Sequence, residues 1–276
     1  MAMEDGEMFT REGCATISDT LGNLLFYTDG SNIWNRDHQI MPNGSGLLGD
    51  TSSSQSAIIV PKPEDSNVYY VFTVDEERGP NGINFSEVDM GLDGGLGDVS
   101  VKNVPLYSPS MEKLTAVKHA NGRDIWVLTH DWHNADFRVY LVTPAGVNTS
   151  PVVSTVGMNM AYYTTNGTEG IGYLKVSPDG KKVAICHVYR GLELLDFDTS
   201  TGRLSNPLVL SRRRTQYGIE FSPSSEVLYM SDLDGPIYQY DLNASDIPGS
   251  EIEINPNGFG EYGLQLGIDG KIYITN

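Results

Sequence analysis

GYLKVSPDGKKVAICHV, residues 172–188, reads as a strand, a tight polar turn and a second strand. The turn Pro178-Asp179-Gly180 places glycine where a hairpin needs positive φ, and the flanking residues are apolar or β-branched at strand period. The same unit recurs along the chain. CATISDTLGNLLFYTDG starts at Cys14, SAIIVPKPEDSNVYYVFTVD at Ser56 and LTAVKHANGRDIWVLTHD at Leu114. GIEFSPSSEVLYMSD follows at Gly218 and GLQLGIDGKIYITN at Gly263. Anchored on Gly22, Asp65, Gly122, Gly180, Ser225 and Gly270, the copies are spaced by 43, 57, 58, 45 and 45 residues. One four-stranded propeller blade takes about 40 to 50 residues.

A third strand follows the hairpin, as in Leu192–Asp198 and Ile237–Leu242. No window carries an apolar stripe at helical period, and 30 glycines and 14 prolines supply turns. The reading is an all-β chain: a β-propeller of four-stranded blades, five full blades plus a partial one, forming one domain over residues 1–276. Compact inner strands are expected at Ala15–Ser18 and Ser56–Val60. Stacked sandwiches, the competing all-β arrangement, lack a fixed period with one turn chemistry. Ile272 to Asn276 look like a second strand without the rest of its blade, which leaves an open edge. The expectation is a chain truncated at both ends, with a parent ring of six or seven blades.

The 276 residues carry 18 basic and 36 acidic side chains, a formal charge of −18. Such acidity opposes the phosphates of nucleic acid and the anionic face of a membrane, and the chain holds no apolar run long enough to span one. Met1 to Arg11 is charged and has no apolar core of a signal peptide. Cys14 and Cys186 match no metal-ligand spacing and read as two buried thiols.

REGCATISDTLGNLLFYTDGSNIWNRDHQIMPNGSGLLGD, Arg11 to Asp50, resembles the opening blade of WD-repeat-like propellers near the N-terminus of very large surface proteins of gliding Bacteroidetes. SQSAIIVPKP, EKLTAVKHANG, GYLKVSPDGKKVA and LQLGIDGKIYI are similar to the same family in the same order. The resemblance implies PKD or immunoglobulin-like modules and a gliding-motility-associated sorting domain further along a secreted or cell-surface parent. The family's opening segment, last blade and sorting domain are missing from this sequence.

Candidate sites are few. Asp29, Asn32, Asn35 and Arg36 beside Trp34 could form a carbohydrate or peptide subsite, or could be turn signals around a packed tryptophan. His130-Asp131-Trp132-His133 offers two imidazoles but too few ligands for zinc, so a surface loop with an exposed Trp132 is expected. Asp232-Leu233-Asp234-Gly235 starts like a calcium loop without its terminal glutamate. Arg212-Arg213-Arg214, with Arg213 at its centre, could bind carboxylate or sulfate, or pair with neighbouring acids. No nucleophile elbow, zinc helix or phosphate loop occurs. The reading is therefore no enzyme, no catalytic residue, no metal and no cofactor, with weak calcium binding left open. It expects a monomeric binding or scaffold module that presents loops to glycan or protein. The alternatives are a polysaccharide hydrolase or lyase with carboxylates at the funnel, and a scaffold whose open edge accepts a partner strand. Two or three carboxylates converging at one mouth with raised pKa would mark the enzyme.

Overall fold

A computed structural model describes residues 5–77, 79–160, 168–233, 235–255 and 263–275. Each hairpin unit found in the sequence opens an antiparallel sheet. The first comprises β1 (Ala15–Ser18), β2 (Leu24–Thr28), β3 (Asn32–Asn35) and β4 (Ile40–Ser45). The second comprises β5 (Ala57–Pro61), β6 (Val68–Val74), β7 (Ile83–Asp89) and β8 (Asp98–Tyr107). In the third, β9 (Thr115–Lys118), β10 (Ile125–His130) and β11 (Asp136–Thr143) are joined at β11 by both β12 (Gly146–Val147) and β13 (Val152–Thr155). The fourth holds β14 (Leu174–Val176), β15 (Lys182–His187), β16 (Gly191–Asp198) and β17 (Arg203–Ser211). The fifth holds β18 (Gln216–Phe221), β19 (Val227–Asp232), β20 (Ile237–Asp241) and β21 (Ile252–Glu253), and a hairpin of β22 (Leu264–Leu266) and β23 (Ile272–Ile274) follows.

The first strands line up around an axis in chain order: β1 beside β5, then β9, β14, β18 and β22. The chain is an all-β propeller. Its cores lie between consecutive sheets, because a sheet with two apolar faces must cover both. Phe26, Ile33 and Met41 meet Val71 and Val88 of the next sheet. Tyr70 and Phe72 meet Val127 and Tyr140, Trp126 and Phe137 meet Ile185 and Phe197, and Leu194 and Leu210 meet Phe221 and Tyr240.

The turn repeat is confirmed atom by atom. The backbone N–H of each of the six anchor residues donates to the carbonyl three residues earlier, from Gly22 to Asp19, Asp65 to Lys62, Gly122 to His119, Gly180 to Ser177, Ser225 to Ser222 and Gly270 to Gly267. Ser225 holds the left-handed conformation, φ 62°, that glycine holds at the corresponding position of the preceding sheet, φ 74° at Gly180. Because neighbouring strands are antiparallel, these turns gather at one end of the propeller, the turn mouth. The segments entering each first strand, and those joining second to third strands, gather at the other, the loop mouth.

Candidate functional site

The segments entering β5, β9 and β14 meet at the axis on the loop mouth. The first two bring polar side chains inward, and the third meets them with backbone groups. Glu112, 2% exposed, accepts hydrogen bonds from the Ser54 backbone N–H at 2.9 Å and the Ser54 hydroxyl at 3.1 Å on one carboxyl oxygen, and from the Glu77 N–H at 2.8 Å on the other. Lys113 is fully buried and its Nζ donates to the carbonyls of Ile171 at 2.7 Å and Gly172 at 2.9 Å. Ser54 Oγ accepts the Gly172 N–H at 3.0 Å. Gln55 crosses to β14, its Oε1 accepting the Leu174 N–H at 2.8 Å and its Nε2 donating to the Leu174 carbonyl at 3.1 Å. Three sheets are thus tied together through one polar hub.

Glu12, a solvent-exposed residue on the segment entering β1, brings a second carboxyl to the hub. It accepts the Tyr217 hydroxyl at 2.9 Å, and the Ser54 hydroxyl acts on it as a second hydrogen-bond partner. Burial of the carboxyl raises the Glu12 pKa above its ordinary value, and the two hydroxyls offset only part of that. Burial raises Glu112 as well, and the charge of Glu12 adds to the shift. Lys113 is driven down, because desolvation of its ammonium outweighs attraction to Glu112. The Ser54 hydroxyl is therefore flanked by two carboxyls that hold their protons longer than ordinary glutamates.

Behind this hub, His130 and His187 end β10 and β15 in a T-shaped contact, ring centroids 5.5 Å apart. The His130 Nδ1 lies 2.7 Å from the Asp131 carbonyl and its ring packs edge-on to Phe137. Burial lowers His130 to about 4 and carries His187 well below 6.5. Asp131 is held by both Nε and Nη2 of Arg138, at 2.7 and 2.9 Å.

The sequence candidates fall elsewhere. The stretch from Asp29 to Arg36 is not one subsite, because β3 runs through it and places Asp29 at the loop mouth and Arg36 at the turn mouth. Asp29 caps its own turn by accepting the N–H groups of Ser31 and Asn32, at 2.8 and 2.7 Å. Asn35 does the same for Asp37 and Gln39, at 3.0 and 3.1 Å. Trp34 is 8% exposed and stacked on Tyr27 at 5.4 Å, a packed residue and not a platform. Asn32 lies at the start of β3, and Arg36 is exposed in the β3–β4 turn.

Trp132 is not the expected exposed residue: it is 8% exposed, beside Met111 and Met160, and fits only because Gly170 has no Cβ, which would stand 2.2 Å from its ring. His130 and His133 do not converge, the first being buried in the hub and the second exposed. Asp232 accepts the Thr215 hydroxyl, while Asp234 lies outside the described residues. Arg213 pairs with Glu251 at 2.5 Å and lies 4.1 Å over the Tyr238 ring. The two thiols are free, but only Cys186 is buried; Cys14 is exposed. Among the described residues no group of three or more His, Cys, Asp and Glu side chains is placed to hold a metal ion. No helix among them is long and apolar enough to cross a membrane.

Sequence reasoning missed Glu12, Ser54, Glu112 and Lys113. The available signal was Glu112-Lys113 immediately before an inner strand, where a packed propeller leaves charges no solvent.

No family model matches the chain, and no curated protein matches it. Solved structures do. A gluconolactonase from Xanthomonas campestris is 13% identical with a TM-score of 0.48, over 92% of this chain and 79% of that one. A protein from Lactobacillus plantarum is 12% identical with a TM-score of 0.48, over 94% of this chain and 73% of that one. The expectation that the chain is no enzyme is corrected on these findings. One of these solved structures is that of an enzyme, against that expectation.

Proposed function

We propose that the chain is a propeller hydrolase acting on carbohydrate, with its working carboxyls at the loop-mouth hub. The observation that supports this reading is the convergence of Glu12 and Glu112 on the Ser54 hydroxyl, both with raised pKa. Hydrolysis of a glycosidic bond or ester needs a group that gives a proton to the leaving oxygen and one that takes a proton from water. Glu12 faces solvent and is the carboxyl that meets substrate. Glu112 sits behind it as a positioning residue that retains a proton near neutrality, and the Ser54 hydroxyl is the path by which protons redistribute between the two. Lys113, buried next to Glu112, sets the charge of the pair according to whether it is protonated. The family resemblance supports a surface-exposed setting for this activity.

The test is hydrolysis of a panel of polysaccharides and sugar lactones between pH 4 and 9, read as new reducing ends or released acid. The wild type is expected to act on at least one substrate, with a basic limb set by loss of the retained proton. Glu12→Gln is expected to lower kcat by about 100-fold or more, and Glu112→Gln to move the pH profile. Unchanged kcat in Glu12→Gln, or no turnover of any substrate by the wild type, overturns the reading.

A further inference from the structure

Beside the hub, the loop mouth holds a second feature that the carboxyl pair does not use. A cavity of about 510 Å³ is lined by Met158, Asn159, Tyr189, Arg190, Arg212 and Arg214. The three guanidiniums come from two separate segments, the β15–β16 turn and the connection from β17 to β18. They do not gather by chance of composition, since the whole chain has twice as many acids as bases. Arg212 and Arg214 flank Arg213 in sequence; the middle residue is drawn off to Glu251 and Tyr238, and its two neighbours line the cavity. Acidic side chains here are spent on structure. Glu169 holds Arg190 at 3.1 Å, and buried Glu193 accepts the Met158 N–H at 2.8 Å, near enough to Arg212 to feel its charge. Tyr189, 47% exposed and in the left-handed conformation at φ 65°, presents its ring at the rim, with Arg214 5.7 Å from the ring centre.

We propose that this cavity binds a carboxylate-bearing sugar, the guanidiniums taking the carboxylate and the Tyr189 ring taking a sugar face. Planar guanidinium forks match carboxylate in two-point contact, and an exposed ring at the rim of a polar cavity suits an apolar sugar face. The cavity adjoins the hub through one short segment. Glu169, which holds Arg190, is followed by Ile171 and Gly172, which hold Lys113. The proposal rests on the carbohydrate reading above and names its substrate class, but its binding can be measured without turnover.

The experiment is calorimetric titration of the whole chain with trigalacturonate, with cellotriose as the neutral counterpart and a sulfated disaccharide as the other anion. The wild type is expected to bind trigalacturonate, and to prefer it to cellotriose by at least about tenfold. The Arg212→Gln/Arg214→Gln double variant is expected to lose about tenfold or more, Tyr189→Ala a smaller factor, and Arg213→Gln nothing. All of these side chains are exposed, and an unchanged unfolding midpoint confirms that each variant is folded. Equal binding of cellotriose, equal loss in Arg213→Gln, preference for the sulfated sugar, or no binding of trigalacturonate overturns the proposal. Binding with this pattern and no turnover anywhere sinks the hydrolase reading alone.

Discussion

The two mouths of the propeller treat the same chemical groups in opposite ways. At the turn mouth, Asp19, Asp179 and Asp269 accept hydrogen bonds from residues of their own turns and stay in water, and their pKa values are lowered. At the loop mouth, Glu112 and Glu193 are taken out of water and the carboxyl of Glu12 is partly so, and burial raises all three although hydrogen bonds pull the other way. Buried bases show the mirror image, Lys113, His130 and His187 all being lowered. A carboxyl that closes a turn is satisfied within four or five residues of itself, so it needs nothing from the rest of the fold. One that ties three sheets together is satisfied only once the fold exists. Local order and functional potential are thus segregated along the propeller axis.

The sharpest test of that segregation is Glu112→Ala. It leaves the N–H groups of Ser54 and Glu77 without their carboxylate and Lys113 without its partner, all inside the hub. Leaving a buried donor without its acceptor costs about 1–3 kcal/mol, and urea unfolding at pH 7 should show a loss of at least that size. A cost under about 1 kcal/mol, the range of an exposed surface site, would mean that the two mouths do not differ in kind.

This segregation also decides what the sequence discloses. The turns repeat because each is built from neighbouring residues, so Gly22, Gly122, Gly180 and Gly270 mark sheets that the structure then delivers in the expected order. The inner strand Ala15–Ser18 falls where composition places it. The hub has no such signature, because Glu12, Ser54 and Glu112 are brought together from three sheets. Within the arginine run the sequence points to the middle residue, but Arg213 pairs with Glu251 and the outer two line the cavity. Trp34 and Trp132 look like recognition residues by type and are interior by position. Residue type is legible from sequence, while the side of a sheet or loop that meets solvent is settled by packing partners far along the chain.

The pH dependence of stability separates the buried bases from the buried acids. His130 is lowered from 6.5 to about 4, so between those values the unfolded chain takes up a proton that the folded one refuses. Its stabilising contribution is present above 6.5 and is lost as pH falls. His130→Asn keeps a donor toward the Asp131 carbonyl, and should gain about 3 kcal/mol relative to wild type on going from pH 6.5 to 4. Glu112 behaves oppositely. Its folded value lies above 4.5, so its contribution is present below 4.5 and is lost as pH rises through the raised value. Glu112→Gln should therefore gain relative to wild type as pH rises from 4.5 toward neutrality. Denaturant titrations at a series of pH values, compared as differences between variant and wild type, read both slopes. Parallel curves would show that neither group is coupled to folding.

A pair of glycines carries the comparison into the backbone. Gly22 closes a turn at φ 85° with nothing within 4 Å of where a Cβ would stand, so Gly22→Ala meets only the left-handed strain, about 1–2 kcal/mol. Gly172 holds φ 105° in the hub, where a Cβ would lie 3.0 Å from the Cys186 carbonyl oxygen and 3.2 Å from the Cys186 Cβ. There the same substitution adds crowding to strain, for about 2–3 kcal/mol in all. The difference has a second consequence. Gly172 gives its N–H to Ser54 and its carbonyl to Lys113, so any shift that relieves the crowding moves both partners of the hub. Gly172→Ala should thus change the pH profile of turnover as well as the unfolding midpoint, whereas Gly22→Ala should change the midpoint alone. If both variants lose only stability, and lose it equally, the hub yields as readily as an exposed turn, and its perturbed pKa values owe nothing to a rigid backbone.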